Sequence, residues 1–203
     1  MNITWEGKSY IKIEAKNQKG EDIKILIDPP KDNFSKLIQK ENPQVIIFTL
    51  PLENLNLNET KGLFLIQEPG EYEVKGVFVN LIFVKENSFF AKILSEDIKV
   101  CHLNSFDQKE LPEDVIETLG GIDVLIISLE KLEPKEASNI VSQLEPKIAI
   151  PIGYSEKDET TLKEFLKQRG IKKEIEKIDK FKIKANQLPQ EEDYETQLVI
   201  LKQ

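Results

Sequence analysis

The single histidine of the chain, His102, and its single cysteine, Cys101, are neighbours in sequence. Histidine is the commonest zinc ligand and the commonest general base near neutral pH, and zinc needs three or four nitrogen, sulfur or carboxylate ligands. One histidine and one cysteine cannot supply such a set. On a strand their side chains would point to opposite faces, so one metal ion could not bind both. We therefore expect His102 to be a hydrogen-bonded structural residue, buried or half-buried at a strand end, and Cys101 to be a small core residue.

Nucleophilic catalysis lacks its usual partners in this sequence. A nucleophile at Cys101 needs an activating base, and the adjacent His102 faces the other way on a strand. Ser105 and Ser128 have no histidine that could complete a triad. Neither a Gly-x-Gly-x-x-Gly nor a Gly-x-x-x-x-Gly-Lys-Ser/Thr loop occurs, so no nucleotide-binding fingerprint is present.

The composition narrows the class of protein and its partners. The 203 residues, 39% of them hydrophobic, suffice for one domain with a substantial core, and we assign residues 1–203 to it. The net charge of −8 disfavours nucleic-acid binding, because such proteins need a basic surface. No stretch approaches the ~20 apolar residues of a membrane span, and the first residues do not resemble a secretory signal. One cysteine fits a reducing compartment, so we expect a cytoplasmic protein that binds no membrane.

Hydrophobic periodicity predicts short antiparallel strands first, followed by alternating helices and buried strands. The predicted strands are residues 3–5, 10–15, 22–27, 45–48, 63–66, 72–84 (broken at Gly76), 89–94, 98–103, 124–127, 148–150 and 198–201. The predicted helices are residues 34–40, 112–119 and 134–144, and a last one opened by a capping box, Thr161-x-x-Glu164, and ended by Gly170. This order suggests a layered α/β domain with helices outside two sheets.

Four segments also match a known family, in the same order along the chain. They are residues 2–14 with Ile27-Asp28-Pro29, residues 68–77 beginning Glu68-Pro69-Gly70-Glu71-Tyr72-Glu73, residues 100–103, and residues 144–151. These segments resemble the metallo-β-lactamase superfamily, in the branch of small bacterial Zn-dependent hydrolases related to ascorbate-6-phosphate lactonase. The resemblance implies a four-layer αββα sandwich, with mixed sheets and helices outside.

The family's metal ligands do not carry over to this chain. Its first motif, His-x-His-x-Asp-His, directly follows a buried strand, and in this chain that window is residues 50–55. The three histidine positions hold Leu50, Leu52 and Leu55, and the aspartate position holds Asn54.

The other ligand positions of the family differ as well. Ser105 stands where the bridging aspartate would follow Cys-His-Leu, and Gly153 stands where the last histidine would follow Ile-Pro-x. The histidine often found near the N-terminus is Lys8. The histidine that the family has downstream of the hairpin has no candidate in this sequence.

Leucine has no lone pair and glycine has no side chain, while serine and asparagine are weak ligands in water. The resemblance therefore predicts a metal-free, catalytically inactive relative without a cofactor, which serves as a binding or interaction module for a small molecule or a protein. Three leucines at ligand positions suggest a dry, filled pocket. The alternative is a metal-dependent hydrolase with atypical or carboxylate ligands, for which Glu53 and Asp107 lie near the family's cavity.

Overall fold

The computed structural model of the protein describes residues 1–50, 63–85, 88–104, 106, 108–155, 157–190 and 194–203. The strands are β1 (Asn2–Gly7), β2 (Tyr10–Lys16), β3 (Asp22–Ile27), β4 (Val45–Ile47), β5 (Phe64–Ile66), β6 (Gly70–Val74), β7 (Val77–Lys85), β8 (Ser88–Ser95), β9 (Ile98–Leu103), β10 (Val124–Ser128), β11 (Ile148–Ile152), β12 (Lys177–Ile178), β13 (Phe181–Lys182), β14 (Gln197–Leu198) and β15 (Ile200–Leu201). The helices are α1 (Phe34–Glu41), α2 (Glu113–Leu119), α3 (Pro134–Leu144) and α4 (Thr160–Gln168), and a 3-10 helix spans Ala185–Gln187.

The strands form two large mixed sheets and one small sheet. The first has the order β13-β1-β2-β3-β4-β5, and the second has the order β14-β11-β10-β9-β8-β7-β6. The N-terminal strands β1, β2 and β3 are antiparallel, as the sequence predicts. Strand β4 then pairs with β3 in parallel, and β9, β10 and β11 are parallel to one another in the second sheet. Strands β12 and β15 pair separately.

Three apolar clusters hold the layers together. The largest lies between the two sheets, because alternate residues of both sheets point inward and are removed from water. A second cluster lies between the second sheet and helices α2, α3 and α4, and a third packs α1 on the first sheet. Representative members are Ile13, Val79 and Val100 in the first, Leu125, Ile140 and Phe165 in the second, and Leu26, Phe34 and Ile46 in the third. The predicted α/β sandwich with helices outside is therefore confirmed.

Two local predictions are corrected by the structure. Helix α4 begins at Thr160 with Glu159 as its N-cap, so the capping box predicted at Thr161 is wrong because that residue is already inside the helix. The capping box lies in α3 instead, where the side chains of Glu133 and Glu136 bond reciprocally to the backbone. The predicted single strand at residues 198–201 is divided at Val199, because β14 pairs with β11 and β15 pairs with β12.

The topology brings several strand ends to one edge of the sandwich. Strands β3 and β4 end together because they are parallel, and β9, β10 and β11 end together for the same reason. The side chain of Asn104, directly after β9, donates to Asp28, directly after β3, at 2.8 Å. The two groups of strand ends therefore meet, and we call this end of the sandwich the carboxyl edge. Within the described part of the chain, no helix is long and apolar enough to span a bilayer.

Candidate functional site

Asp28 is the centre of a hydrogen-bonded cluster at the carboxyl edge. The residue follows β3 in a left-handed conformation, with a φ of 49°. Its Oδ1 accepts the backbone N–H of Thr49 at 2.7 Å, and its Oδ2 accepts the Thr49 hydroxyl at 2.5 Å and the Asn104 amide at 2.8 Å. Asn104 also donates to Thr49 Oγ1 at 3.3 Å. Since Thr49 follows β4 and Asn104 follows β9, this Asp28 cluster joins both sheets through the ends of three strands.

His102 lies directly behind the Asp28 cluster and is completely buried, with an exposed fraction of 0%. Its Nδ1 is 3.9 Å from Asp28 Oδ2, and neither ring nitrogen has a hydrogen-bond partner among the described residues. Burial lowers the pKa of the imidazole, and this effect outweighs the Asp28 carboxylate and the Ser9 backbone, which both favour the charged ring. His102 is therefore neutral at pH 7. Its predicted burial is confirmed, and its hydrogen bond stays a prediction.

Cys101 points to the opposite face of β9, as strand geometry predicts. Its side chain belongs to the cluster beneath α2, α3 and α4, whereas His102 faces the first sheet. Burial raises the pKa of the Cys101 thiol, so the sulfur stays protonated and unreactive at neutral pH. The assignment of Cys101 as a core residue is confirmed.

Gly153 follows β11 at the same edge and has no room for a side chain. Its φ is +73°, and a Cβ built on it would lie 2.7 Å from Ser128 Oγ and 3.3 Å from the backbone nitrogen of Glu130. A larger residue at this position would need a strained backbone and a displaced Ser128. The position that the sequence analysis matched to the family's last histidine is thus closed by its own neighbours.

The structure corrects the expectation of a dry plug of leucines at Leu50. This side chain is 36% exposed, so it lies at the surface of the carboxyl edge rather than inside it. The interior there is occupied by the polar Asp28 cluster. The remaining residues of the predicted site, Leu52, Glu53, Asn54, Leu55, Ser105 and Asp107, lie outside the described residues.

A groove of about 570 Å³ opens at the carboxyl edge beside the Asp28 cluster. Its apolar wall includes Pro29, Phe48 and Leu50, and its cationic groups are Lys8 and Lys31. Neither lysine has an ion-pair partner among the residues that the structure describes. Other residues that line the groove are Glu6, Gly7, Ser9, Tyr10, Asp28, Pro30, Asp32 and Gln203.

Two aromatic residues that could have lined a pocket belong to the core. The rings of Trp5 and Tyr154 are 4.8 Å apart, and both residues are buried. The Tyr154 hydroxyl donates to the carbonyl of Leu201 at 2.7 Å. The indole N–H of Trp5 donates to the carbonyl of Lys8 at 2.7 Å, so the only tryptophan contacts a residue that lines the groove.

Comparison with known proteins establishes the family. A family model described as a beta-lactamase superfamily domain matches residues 2–153. The chain belongs to this family. No curated protein sequence matches it.

Solved structures of the metallo-β-lactamase superfamily share the fold of this beta-lactamase superfamily domain. A candidate Zn-dependent hydrolase from Thermotoga maritima is 23% identical, with a TM-score of 0.71 over 99% of this chain and 98% of that one. The metallo-β-lactamase fold protein YhfI from Bacillus subtilis is 10% identical, with a TM-score of 0.59 over 82% of this chain and 91% of that one. Igni18, a metallo hydrolase from Ignicoccus hospitalis, is 15% identical, with a TM-score of 0.52 over 76% and 82%. At these identities the likeness concerns the fold, whereas the family model confirms the predicted superfamily.

The described residues at the carboxyl edge do not form a zinc site. Among the described residues, no group of three or more histidine, cysteine, aspartate or glutamate side chains could hold a metal. The acceptors of Asp28 already receive three hydrogen bonds, and a side chain at position 153 would be crowded by Ser128. Zinc chemistry needs several preorganised ligands and an open position for water.

Sequence reasoning missed the Asp28 cluster although a signal was present. Asp28, Thr49 and Asn104 each come directly after a strand that the sequence predicts. Polar residues at the ends of neighbouring parallel strands meet at one sheet edge. The resemblance directed attention to residues 50–55 and away from the polar residues beside them.

Proposed function

We propose that this beta-lactamase superfamily domain is a metal-free, catalytically inactive member of its family that binds a ligand at the carboxyl edge. The observation that carries this proposal is the closed position at Gly153. A histidine there would place its Cβ 2.7 Å from Ser128 Oγ on a backbone with a φ of +73°, which supports the absence of a side-chain ligand at this position.

The Asp28 cluster supports the same proposal. A catalytic zinc site buries ligands whose lone pairs are free for the metal, and the metal compensates for their desolvation. At this edge the carboxylate of Asp28 is instead satisfied by Thr49 and Asn104. The polar groups hold one another in place, which is a structural arrangement rather than a vacant ligand set.

The groove beside the cluster is the candidate binding site. Lys8 and Lys31 supply positive charge, and Pro29, Phe48 and Leu50 supply an apolar wall. This combination favours a small molecule with an apolar body and one negative charge. The alternative partner, a protein, would place an apolar side chain and a carboxylate in the same groove.

Metal analysis tests the inactive assignment. Protein purified without added chelator is expected to contain well under one equivalent of zinc, and added Zn²⁺, Mn²⁺ or Mg²⁺ is expected to produce no hydrolysis of phosphodiester, lactone or β-lactam substrates. Activity that depends on Mn²⁺ or Mg²⁺ and is lost in Glu53→Gln or Asp107→Asn would establish the alternative hydrolase with carboxylate ligands.

Binding at the groove can be followed with anilinonaphthalene sulfonate, a probe with an apolar body and one negative charge. We expect the probe to quench Trp5, the only tryptophan, because the indole contacts Lys8, which lines the groove. The double variant Lys8→Gln/Lys31→Gln should weaken the quenching about tenfold, since both cations of the groove are removed. The control is Lys163→Gln/Lys167→Gln on α4, which removes the same charge elsewhere. Equal loss in both variants would show that only net charge attracts the probe.

A further inference from the structure

Arg169, the only arginine of the chain, follows α4 and is half-buried there. Its Nη1 donates to Ser142 Oγ at 2.7 Å and to the carbonyl of Ser138 at 3.3 Å, and both of these residues are on α3. Burial lowers the pKa of the guanidinium, although the group remains charged at neutral pH. No carboxylate of the described residues forms an ion pair with it. A partly desolvated cation without an acidic partner is unfavourable, so Arg169 has an unused capacity to bind an anion.

Arg169 lines a pocket of about 640 Å³ at the opposite end of the sandwich from the groove. Strand β14, which borders the pocket, pairs with the first residues of β11, whereas Gly153 follows the last residue of β11. The two contacts with α3 use only Nη1, so they hold the guanidinium in a fixed position and leave the Nε and Nη2 groups of the planar fork available.

Other polar groups of this pocket favour a ligand that carries a positive charge beside the anionic group bound by Arg169. The hydroxyl of Tyr194 donates to the Glu145 carbonyl at 2.7 Å, and that of Thr196 donates to the Pro146 carbonyl at 2.7 Å. Because both protons are already used, the two hydroxyl oxygens can only accept a hydrogen bond from a ligand. The carboxylates of Glu145 and Glu195 also line the pocket and are exposed. They disfavour an ion with two negative charges and favour an ammonium group.

We infer that this pocket binds a small zwitterion of the amino-acid class, whose carboxylate pairs with Arg169. The ammonium group of the ligand is accepted by Tyr194, Thr196 and the two glutamates. The guanidinium supplies parallel N–H donors that match a carboxylate, and this geometry is specific to arginine. The assignment is independent of the groove at the carboxyl edge and of the metal-free proposal.

The single arginine provides a direct measurement, because its Nε–H group gives one resonance in a ¹⁵N spectrum. We expect L-alanine at millimolar concentration to shift this resonance in a saturable way. Acetate should bind more weakly because it lacks the ammonium group, and ethylamine and inorganic phosphate should not produce a saturable shift. Acetate that binds as tightly as L-alanine, or an Nε–H resonance that no probe moves, would overturn the assignment and leave Arg169 as a contact between two helices.

Variants separate binding from helix packing. Arg169→Gln should reduce the affinity for L-alanine about tenfold or more, which is the usual effect of losing hydrogen bonds to a charged group. Lys167→Gln, on the same last turn of α4, removes one charge and should leave the affinity unchanged. Because Arg169→Gln also removes the contact with Ser142, Glu195→Gln tests the ammonium end without altering that contact. If both single variants, Arg169→Gln and Glu195→Gln, bind L-alanine as tightly as the native protein, the proposal is wrong.

Discussion

The two ends of this sandwich differ in how far their buried polar groups are hydrogen-bonded within the chain. At the carboxyl edge, Asp28 receives three hydrogen bonds from two residues, and Gly153 is closed off by Ser128. At the other end, Arg169 makes two contacts through one nitrogen and has no acidic partner among the described residues. Buried polar groups that satisfy one another stabilise a fold, whereas a desolvated charge without a partner is stabilised by a ligand. Asp28 is thus satisfied within the chain, whereas the zwitterion that we propose would satisfy Arg169.

The largest expected effect comes from removing the acceptor at the carboxyl edge. Asp28→Ala leaves two donors of Thr49 and one of Asn104 without their partner, and hydrogen bonds to charged groups are the costly ones to lose. We expect the free energy of unfolding to fall by about 3–5 kcal/mol. Urea denaturation measures this change. The control is Asp32→Ala, because Asp32 is an exposed neighbour. A similar loss of free energy of unfolding in both variants would show that the cluster does not stabilise the fold.

A second effect tests whether position 153 is closed. Gly153→Ala adds a Cβ that clashes with Ser128 on a left-handed backbone. Gly20 also has a left-handed backbone, with a φ of +80°, but a Cβ added there in Gly20→Ala has no atom within 4 Å. Both variants strain the backbone by about 1–2 kcal/mol, but only the first has a steric clash. We expect Gly153→Ala to lower the melting temperature clearly more than Gly20→Ala does. Combining Gly153→Ala with Ser128→Gly should recover the difference, and equal melting temperatures would show that the site is open.

The buried histidine makes stability depend on pH. The pKa of His102 is lowered in the folded state, so below about pH 6.5 the unfolded chain binds a proton that the folded chain does not. The stabilisation is complete above that pH and falls as the pH decreases, by at most about 1.4 kcal/mol per pH unit. Denaturation curves between about pH 5.5 and 7.5 should show this slope for the native protein and not for His102→Leu. The only imidazole C2–H resonance should titrate below about pH 6.5 in the folded protein, and a midpoint above that value would mean that folding raises the pKa of His102 instead.

The smallest expected change in stability comes from Leu50→Ala, which tests whether Leu50 is part of the interior of the carboxyl edge. Since this side chain is partly exposed, Leu50→Ala should change the free energy of unfolding by less than about 1 kcal/mol. Phe48→Ala, two residues earlier and buried beneath α1, should cost about 3–5 kcal/mol. A large loss in Leu50→Ala would restore the plug of leucines that the sequence suggests.

The elements that the sequence determined are those whose signals are local. Helix α3 has the predicted bounds because proline starts it and apolar residues recur on one face, from Ala137 to Leu144. The opposite orientations of Cys101 and His102 follow from the pleat of a single strand. The absence of the family's histidines is also a property of the sequence, because a chain with one histidine cannot place it at several ligand positions.

The tertiary structure decided which polar groups meet at the carboxyl edge. The bonds of Asp28 join residues that are 21 and 76 positions apart, and no local period connects them. The division of the last strand at Val199 depends on two different partner strands, and the contacts of Arg169 with α3 depend on how α3 and α4 pack together. Periodicity reports the environment of a residue along its own element, but the partners of a buried polar group are set by the packing of distant elements. For this reason the sequence predicted that the family's ligands are missing, and only the folded chain showed the hydrogen bonds that join Asp28, Thr49 and Asn104.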